Sequence, residues 1–154
     1  MEFQNFTNAA KAAKVVTGIN KKINKKFFKV MIDAAHCGDS DLSIAENEKV
    51  IKDLAKKDAL GIFHASAKTT RGCLSTDDGW IGALLAAYAP TGKLKHVFVE
   101  LFHHQDPALA PLRKAVKGHG VDTTDGRTYN RTVTDGVIEV AHRLNNLAAR
   151  KLIK

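Results

Sequence analysis

The sequence predicts a mainly α fold, a compact bundle of about five to seven helices, with room for one small β-hairpin near residues 121–134. Three observations predict it. Apolar residues recur every three or four positions over residues 8–32, Ser43-Ile-Ala-Glu46 has the pattern of a helix start, and residues 79–89 are apolar on every side. A chain of 154 residues is long enough to bury a core as one domain, and a hydrophobic share of 44% is that of an ordinary soluble protein.

In the first element, residues 8–32, Ala12, Val16, Ile19, Ile23, Phe27 and Val30 fall on one helical face. Lys11, Lys14, Lys22, Lys25 and Lys29 follow the same period on another face, and Lys21 and Lys26 widen that stripe. Gly18 and Asn20 are the weak points at which one long basic helix would break into two. The next start is set by the capping box: Ser43 accepts from the Glu46 N–H, and the glutamate reaches back to the Ser43 N–H. That helix should run to about Lys57, with Val50, Ile51, Leu54 and Ala55 inward.

Leu60-Gly-Ile-Phe-His-Ala-Ser66 fits either a short strand or a continued helix, and residues 67–78 read as a loop. Asp77 or Asp78 would cap the central helix at 79–89, which Pro90-Thr-Gly92 ends. Such a helix belongs inside the bundle. Lys93 to Gln105 carries both helical spacing (Leu94, Val97, Phe98, Leu101) and strand alternation (Val97, Val99, Leu101). Asp106-Pro107 is an N-cap followed by proline at the first helical position. Threonines and an Asp125-Gly126 turn suggest the hairpin or extended loop at 121–134. The last helix opens at Asp135 and occupies 136–153, with Val137, Val140, Leu144 and Leu147 along one face.

The net charge of +8 is unevenly placed: residues 1–32 hold seven lysines and one acid, whereas residues 33–60 hold four lysines and seven acids. A basic segment before an acidic one implies a partner of opposite sign, or two segments facing each other. Two cysteines far apart argue against a disulfide framework and for a reducing compartment. The longest apolar run is too short to span a bilayer, and no secretory leader pattern is present, so the expectation is a cytoplasmic protein.

Familiar catalytic signatures are missing: Gly-x-Ser-x-Gly, His-Glu-x-x-His and Gly-x-Gly-x-x-Gly are not found. Thr91-Gly-Lys93 lacks the upstream glycine of a phosphate loop, and His64-Ala-Ser66 lacks the second copy that a twin phosphoesterase motif needs. His36, Cys37, Cys73, His103 and His104 are zinc-ligand types at spacings that match no compact zinc module. Cys73 with His64 is a candidate nucleophilic pair of the same weak kind.

The stretch His36-Cys-Gly-Asp-Ser-Asp-Leu-Ser-Ile-Ala-Glu-Asn-Glu48 carries closely spaced carboxylates. As an EF-hand loop from Asp39 it fails, because Ile44 and Val50 occupy the positions of the glycine and the bidentate glutamate. What remains is an acidic loop at 36–48 in which Asp39, Asp41 and Glu46 could hold Ca²⁺ or Mg²⁺, or simply favour a helix N-terminus. Asn24-Lys-Lys-Phe-Phe-Lys-Val-Met-Ile-Asp-Ala-Ala, Gly38-Asp-Ser-Asp41 and Ser43-Ile-Ala-Glu46-x-Glu48-Lys49 resemble the first half of the tellurite-resistance TerB-like family, over residues 22–57. The resemblance implies an all-helical bundle with an acidic metal loop, and carries ligand roles onto Asp39, Asp41 and Glu46. Leu42 departs from it by replacing the usual glycine after Asp41, and no second acidic loop follows in the later half.

The reading this supports is a small basic, non-enzymatic adaptor. Its docking face is Lys14, Lys21, Lys22, Lys25, Lys26 and Lys29, and its partner is nucleic acid or an acidic protein surface. With no aromatic residues interleaved among those lysines, sequence-specific reading of single strands is not expected. An anionic membrane surface is a further option, since Ile23 and Phe27 lie opposite the lysines. The alternatives are a TerB-like divalent-metal module and an enzyme built on Cys73 and the histidines.

Overall fold

Three short β-strands, hydrogen-bonded side by side and all parallel, run through the middle of the chain. The computed structural model describes residues 8–67, 79–101, 103–115 and 126–154. Its elements are α1 (Ala9–Lys22), β1 (Val30–Asp33), α2 (Ala34–Asp39), α3 (Ile44–Lys56), β2 (Leu60–Ala65), α4 (Trp80–Tyr88), β3 (Val97–Val99), α5 (Ala110–Ala115) and α6 (Tyr129–Ala149). Short 3-10 turns follow α4 and precede α5. The expected all-helical bundle is therefore corrected to a mixed α/β fold. Helices still dominate by length, but they are organised around a sheet.

The correction begins inside residues 8–32. The α1 helix starts where expected, with Asn8 Oδ1 accepting from the Ala10 and Lys11 N–H groups at 2.9 and 3.2 Å. It does not run to residue 32. Gly18 lies within the helix, and the turn comes at Asn24, whose φ of 51° is left-handed, a conformation asparagine tolerates better than most. Asn20 then holds the returning chain in both directions: its Nδ2 donates to Phe28 O at 2.8 Å, and its Oδ1 accepts from Phe28 N–H at 2.9 Å. Val30-Met-Ile that follows is β-branched on its buried positions and pairs as a strand, with Val30 and Ile32 buried and Met31 exposed. Ile19, Ile23 and Phe27, expected to point inward, are 37%, 43% and 73% exposed.

The capping box at Ser43 is present in full: Glu46 Oε2 accepts from Ser43 N–H at 2.8 Å, and the Glu46 N–H donates to Ser43 Oγ at 3.3 Å. Leu60–Ala65 and Val97–Val99, each open to two readings in the sequence, are strands. Apolar runs this short fit either period, and pairing with the neighbouring strands decides for the strand.

The hairpin expected at 121–134 is corrected where the structure describes it. Residues 121–125 lie outside the described residues, and from Tyr129 the chain is already helical, so the last helix spans Tyr129–Ala149 in place of 136–153. Thr128 caps it by accepting from Arg131 N–H at 3.2 Å. Thr132 and Thr134 donate their hydroxyls to the carbonyls four residues back at 3.0 and 2.9 Å, a local bond that keeps threonine tolerable within a helix. Arg131 and Asp135, one turn apart, add an ion pair at 2.9 Å.

The core fills the space between sheet and helices. Phe63, Ile32, Ile51, Leu54, Ile81, Leu84, Leu85 and Tyr88 are essentially fully buried. The α4 helix, apolar on all sides, packs against α2, α3 and α6. Its Tyr88 rings edge-on to Phe63 at 6.1 Å and donates its hydroxyl to Gly61 O at 2.8 Å, locking α4 onto β2. No helix among the described residues is long and apolar enough to cross a membrane.

Candidate metal centre

Each strand ends an apolar run in a metal-ligand residue type: Val30-Met-Ile-Asp33, Leu60-Gly-Ile-Phe-His64 and Val97-Phe-Val-Glu100. Because the strands are parallel, those three ends lie at one edge of the sheet. Register does the rest. Asp33 pairs with His64 and His64 with Phe98, so their side chains share a face, and Glu100, two residues beyond Phe98, returns to that face. The Glu100 N–H donates to Ala65 O at 3.1 Å, which continues the ladder one step past β3.

The side chains converge. His64 Nδ1 lies 3.6 Å from Asp33 Oδ2 and 3.6 Å from Glu100 Oε2. Both separations are beyond hydrogen-bond reach, and Nδ1 is buried with no hydrogen-bond partner among the described residues. The three residues offer one ligand atom each, all within 4.8 Å of one another. Exposure grades across the group, from 5% for the Asp33 side chain through 21% for His64 to 30% for Glu100. The site is closed beneath Asp33 and opens beside Glu100.

Local structure orients Asp33 and His64. Asp33 ends β1 and also caps α2, its Oδ1 accepting from His36 N–H at 3.1 Å while Oδ2 faces His64. The His64 ring packs on Phe98, with ring centres 5.7 Å apart, which limits its rotation. Two residues on, Ser66 Oγ is fully buried without a hydrogen-bond partner among the described residues. Cys37, in the helix that Asp33 caps, stays a thiol: burial, and then the negative charge of Asp33, push its pKa up to about 12. That removes it as a ready thiolate ligand or nucleophile.

The residues singled out in the sequence lie elsewhere. Asp39 ends α2, Asp41 accepts a hydrogen bond from Asn8 Nδ2, and Glu46 is engaged by Ser43, whose hydroxyl and N–H hold its pKa below the usual glutamate value. These three carboxylates do not come together; among the described residues the group that does is Asp33, His64 and Glu100. His103 is fully buried and spends both ring nitrogens inside the protein, Nδ1 accepting from Gln105 N–H at 3.1 Å and Nε2 placed 2.9 Å from Arg127 O. Cys73 lies outside the described residues.

The lysines divide. Lys14, Lys21, Lys22, Lys25 and Lys26 are exposed. Lys29 instead pairs with Asp58 at 3.4 Å, and Asp58 also receives Lys93 at 3.0 Å. Hydrogen bonds from Lys93 and then Lys29 hold the Asp58 carboxyl below its ordinary pKa. Lys29 is thus largely satisfied by the protein's own acid.

Sequence reasoning passed over Asp33 and Glu100 and weighed His64 only as part of other motifs. The legible signal was a repeated one, an apolar strand-like run closed by a single Asp, His or Glu, three times over. It gains meaning only when the strands are known to be parallel neighbours, since ligands and substrates gather at the carboxyl edge of such sheets. Comparison with protein-family models, with curated proteins and with solved structures returns no match.

Proposed function

We propose that the protein is a metal-dependent hydrolase, with a zinc-sized divalent cation held by Asp33, His64 and Glu100 at the carboxyl edge of the sheet. The observation that carries this reading is the buried His64 Nδ1, flanked by two carboxylate oxygens at 3.6 Å each and hydrogen-bonded to neither. Donors bound tetrahedrally at about 2.0–2.1 Å would stand roughly 3.3–3.4 Å apart, close to the 3.6 Å from His64 to each carboxylate. Two carboxylates and an imidazole are donor types that suit a borderline dication. For Nδ1 to bind metal, the ring proton sits on Nε2.

Three protein donors leave a fourth position, and the exposure gradient directs it to solvent on the Glu100 side. Held by Asp33, His64 and Glu100, such a cation would supply a bound water with a pKa lowered toward about 7. Asp33, pinned by the His36 N–H, supplies the rigid inner ligand. Hydrolysis of a substrate laid along the sheet edge is the chemistry this arrangement favours.

Equilibrium dialysis against zinc tests the reading. The wild-type chain should retain one equivalent, His64→Ala should bind at least about a hundredfold more weakly, and Asp41→Asn should match wild type. Equal zinc uptake by wild type and His64→Ala would remove the proposal. Turnover of ester and amide substrates should vanish with a chelator and return with zinc.

A further inference from the structure

Away from the sheet edge, the α1 helix and the connection to β1 present a surface of opposite character. Val15, Ile19, Ile23, Phe27, Phe28 and Met31 are 44%, 37%, 43%, 73%, 45% and 45% exposed, an unusual run of large apolar groups left in water. Val15, Ile19 and Ile23 stand four residues apart along one flank of α1, bordered by Lys11 and Lys22. Phe27 and Phe28 pack edge-on at 5.2 Å in the connection, which Asn20 fixes through its two hydrogen bonds to Phe28. These groups are held outward by a defined backbone.

Cations surround them. Lys11, Lys14, Lys21, Lys22, Lys25 and Lys26 are exposed, and none forms an ion pair with a described residue. Asp58, an acid beside the connection to β1, is already shared by Lys29 and Lys93. From residue 9 to residue 32 the chain has no acid at all.

We propose that this ridge docks on an anionic lipid bilayer, with Phe27, Phe28, Ile23 and Ile19 entering the headgroup–acyl boundary and the lysines facing acidic headgroups. Exposed aliphatic side chains decide between the two polyanions that the lysines alone would suit. Val15, Ile19 and Ile23 neither stack on bases nor hydrogen-bond to phosphates, so a nucleic acid would leave them in water. A bilayer removes them from it and answers the charge at the same time. An acidic protein surface answers only the charge.

Vesicle co-sedimentation of the full chain, in chelator so that the metal centre takes no part, provides the test. The protein should pellet with phosphatidylcholine vesicles that contain phosphatidylserine and stay in solution with pure phosphatidylcholine. Each of Lys22→Glu, Lys25→Glu and Lys26→Glu should weaken partitioning by about fivefold or more. Phe27→Ser with Phe28→Ser should weaken it tenfold or more (about 0.8 kcal/mol for each buried CH₂ withdrawn), with an unchanged circular dichroism spectrum. Vesicle binding that survives the phenylalanine changes, or gel-shift binding to oligonucleotides without vesicle binding, would overturn the proposal.

Discussion

The carboxyl edge of the sheet and the ridge of α1 break the same rule in opposite directions. At the edge, two carboxylates and an imidazole are drawn mostly out of water among apolar strands, with Asp33 5% exposed. On the ridge, large apolar side chains stand in water among lysines, with Phe27 73% exposed. Folding by itself favours neither arrangement, because buried charge needs a counter-charge and exposed apolar area gains by being covered. Each departure motivates one of the two proposals: a divalent cation at the edge, an anionic bilayer at the ridge. A protein can hold such groups only where the surrounding structure is firm, and both regions are firm. The edge is set by strand register and the Asp33 cap, the ridge by Asn24 and the Asn20 clamp.

The largest effect that would sharpen this contrast is thermal. Zinc at a hundred times its dissociation constant should stabilise the wild-type chain by about 2.7 kcal/mol, which raises the melting temperature by roughly 5–10 °C. His64→Ala should show no such shift, and ridge variants should show all of it. Next comes the strand pairing that holds the edge together. A Cβ at Gly61 would lie 3.1 Å from Val30 O, a backbone atom that cannot swing aside, so Gly61→Val should cost about 1–3 kcal/mol in urea unfolding. Tyr88→Phe strips the hydroxyl from the Gly61 carbonyl and should cost about 1 kcal/mol by the same measurement.

Smaller effects separate the two regions by pH. The Asp58 carboxyl has its pKa lowered by Lys93 and Lys29, so its contribution to stability is whole above the ordinary value of 3.8 and is lost as pH falls through the lowered one. Asp58→Asn should lower the neutral plateau slightly and so flatten the acid limb, with the two proteins converging in stability at low pH. Cys37 acts on the other side: its raised pKa means stability is complete below the ordinary 9.0 and declines as pH climbs toward 12. Smallest of all, Lys22→Glu and Lys25→Glu should change folding stability by less than about 0.5 kcal/mol, since exposed, unpaired lysines hold nothing together. A larger loss would mean that the ridge is structural.

How much of this the chain announces depends on how local each signal is. The Ser43–Glu46 box needs four residues and could be read directly, as could the uniformly apolar α4. The β1 strand could not. Val30-Met-Ile fits the end of a three-to-four periodicity as well as it fits a strand, and the left-handed turn at Asn24 that separates them leaves no strong mark in sequence. Thr132 and Thr134 misled in the reverse sense: strand-favouring residues entered a helix because their hydroxyls bond back along it and Thr132 is buried by packing. The site was the least legible part. Asp33, His64 and Glu100 are separated by entire crossovers and meet only through parallel pairing, a relation that no window along the sequence contains. The carboxylates that did stand out, Asp41 and Glu46, were conspicuous because they are close in sequence, and that closeness serves the local tie to Asn8 and the helix cap.

X-ray absorption at the zinc edge of the reconstituted protein addresses the central claim most directly. The account predicts four nitrogen and oxygen donors near about 2.0–2.1 Å, one of them an imidazole, with no sulfur. A sulfur shell at about 2.3 Å, or a spectrum unchanged by His64→Ala, would contradict it.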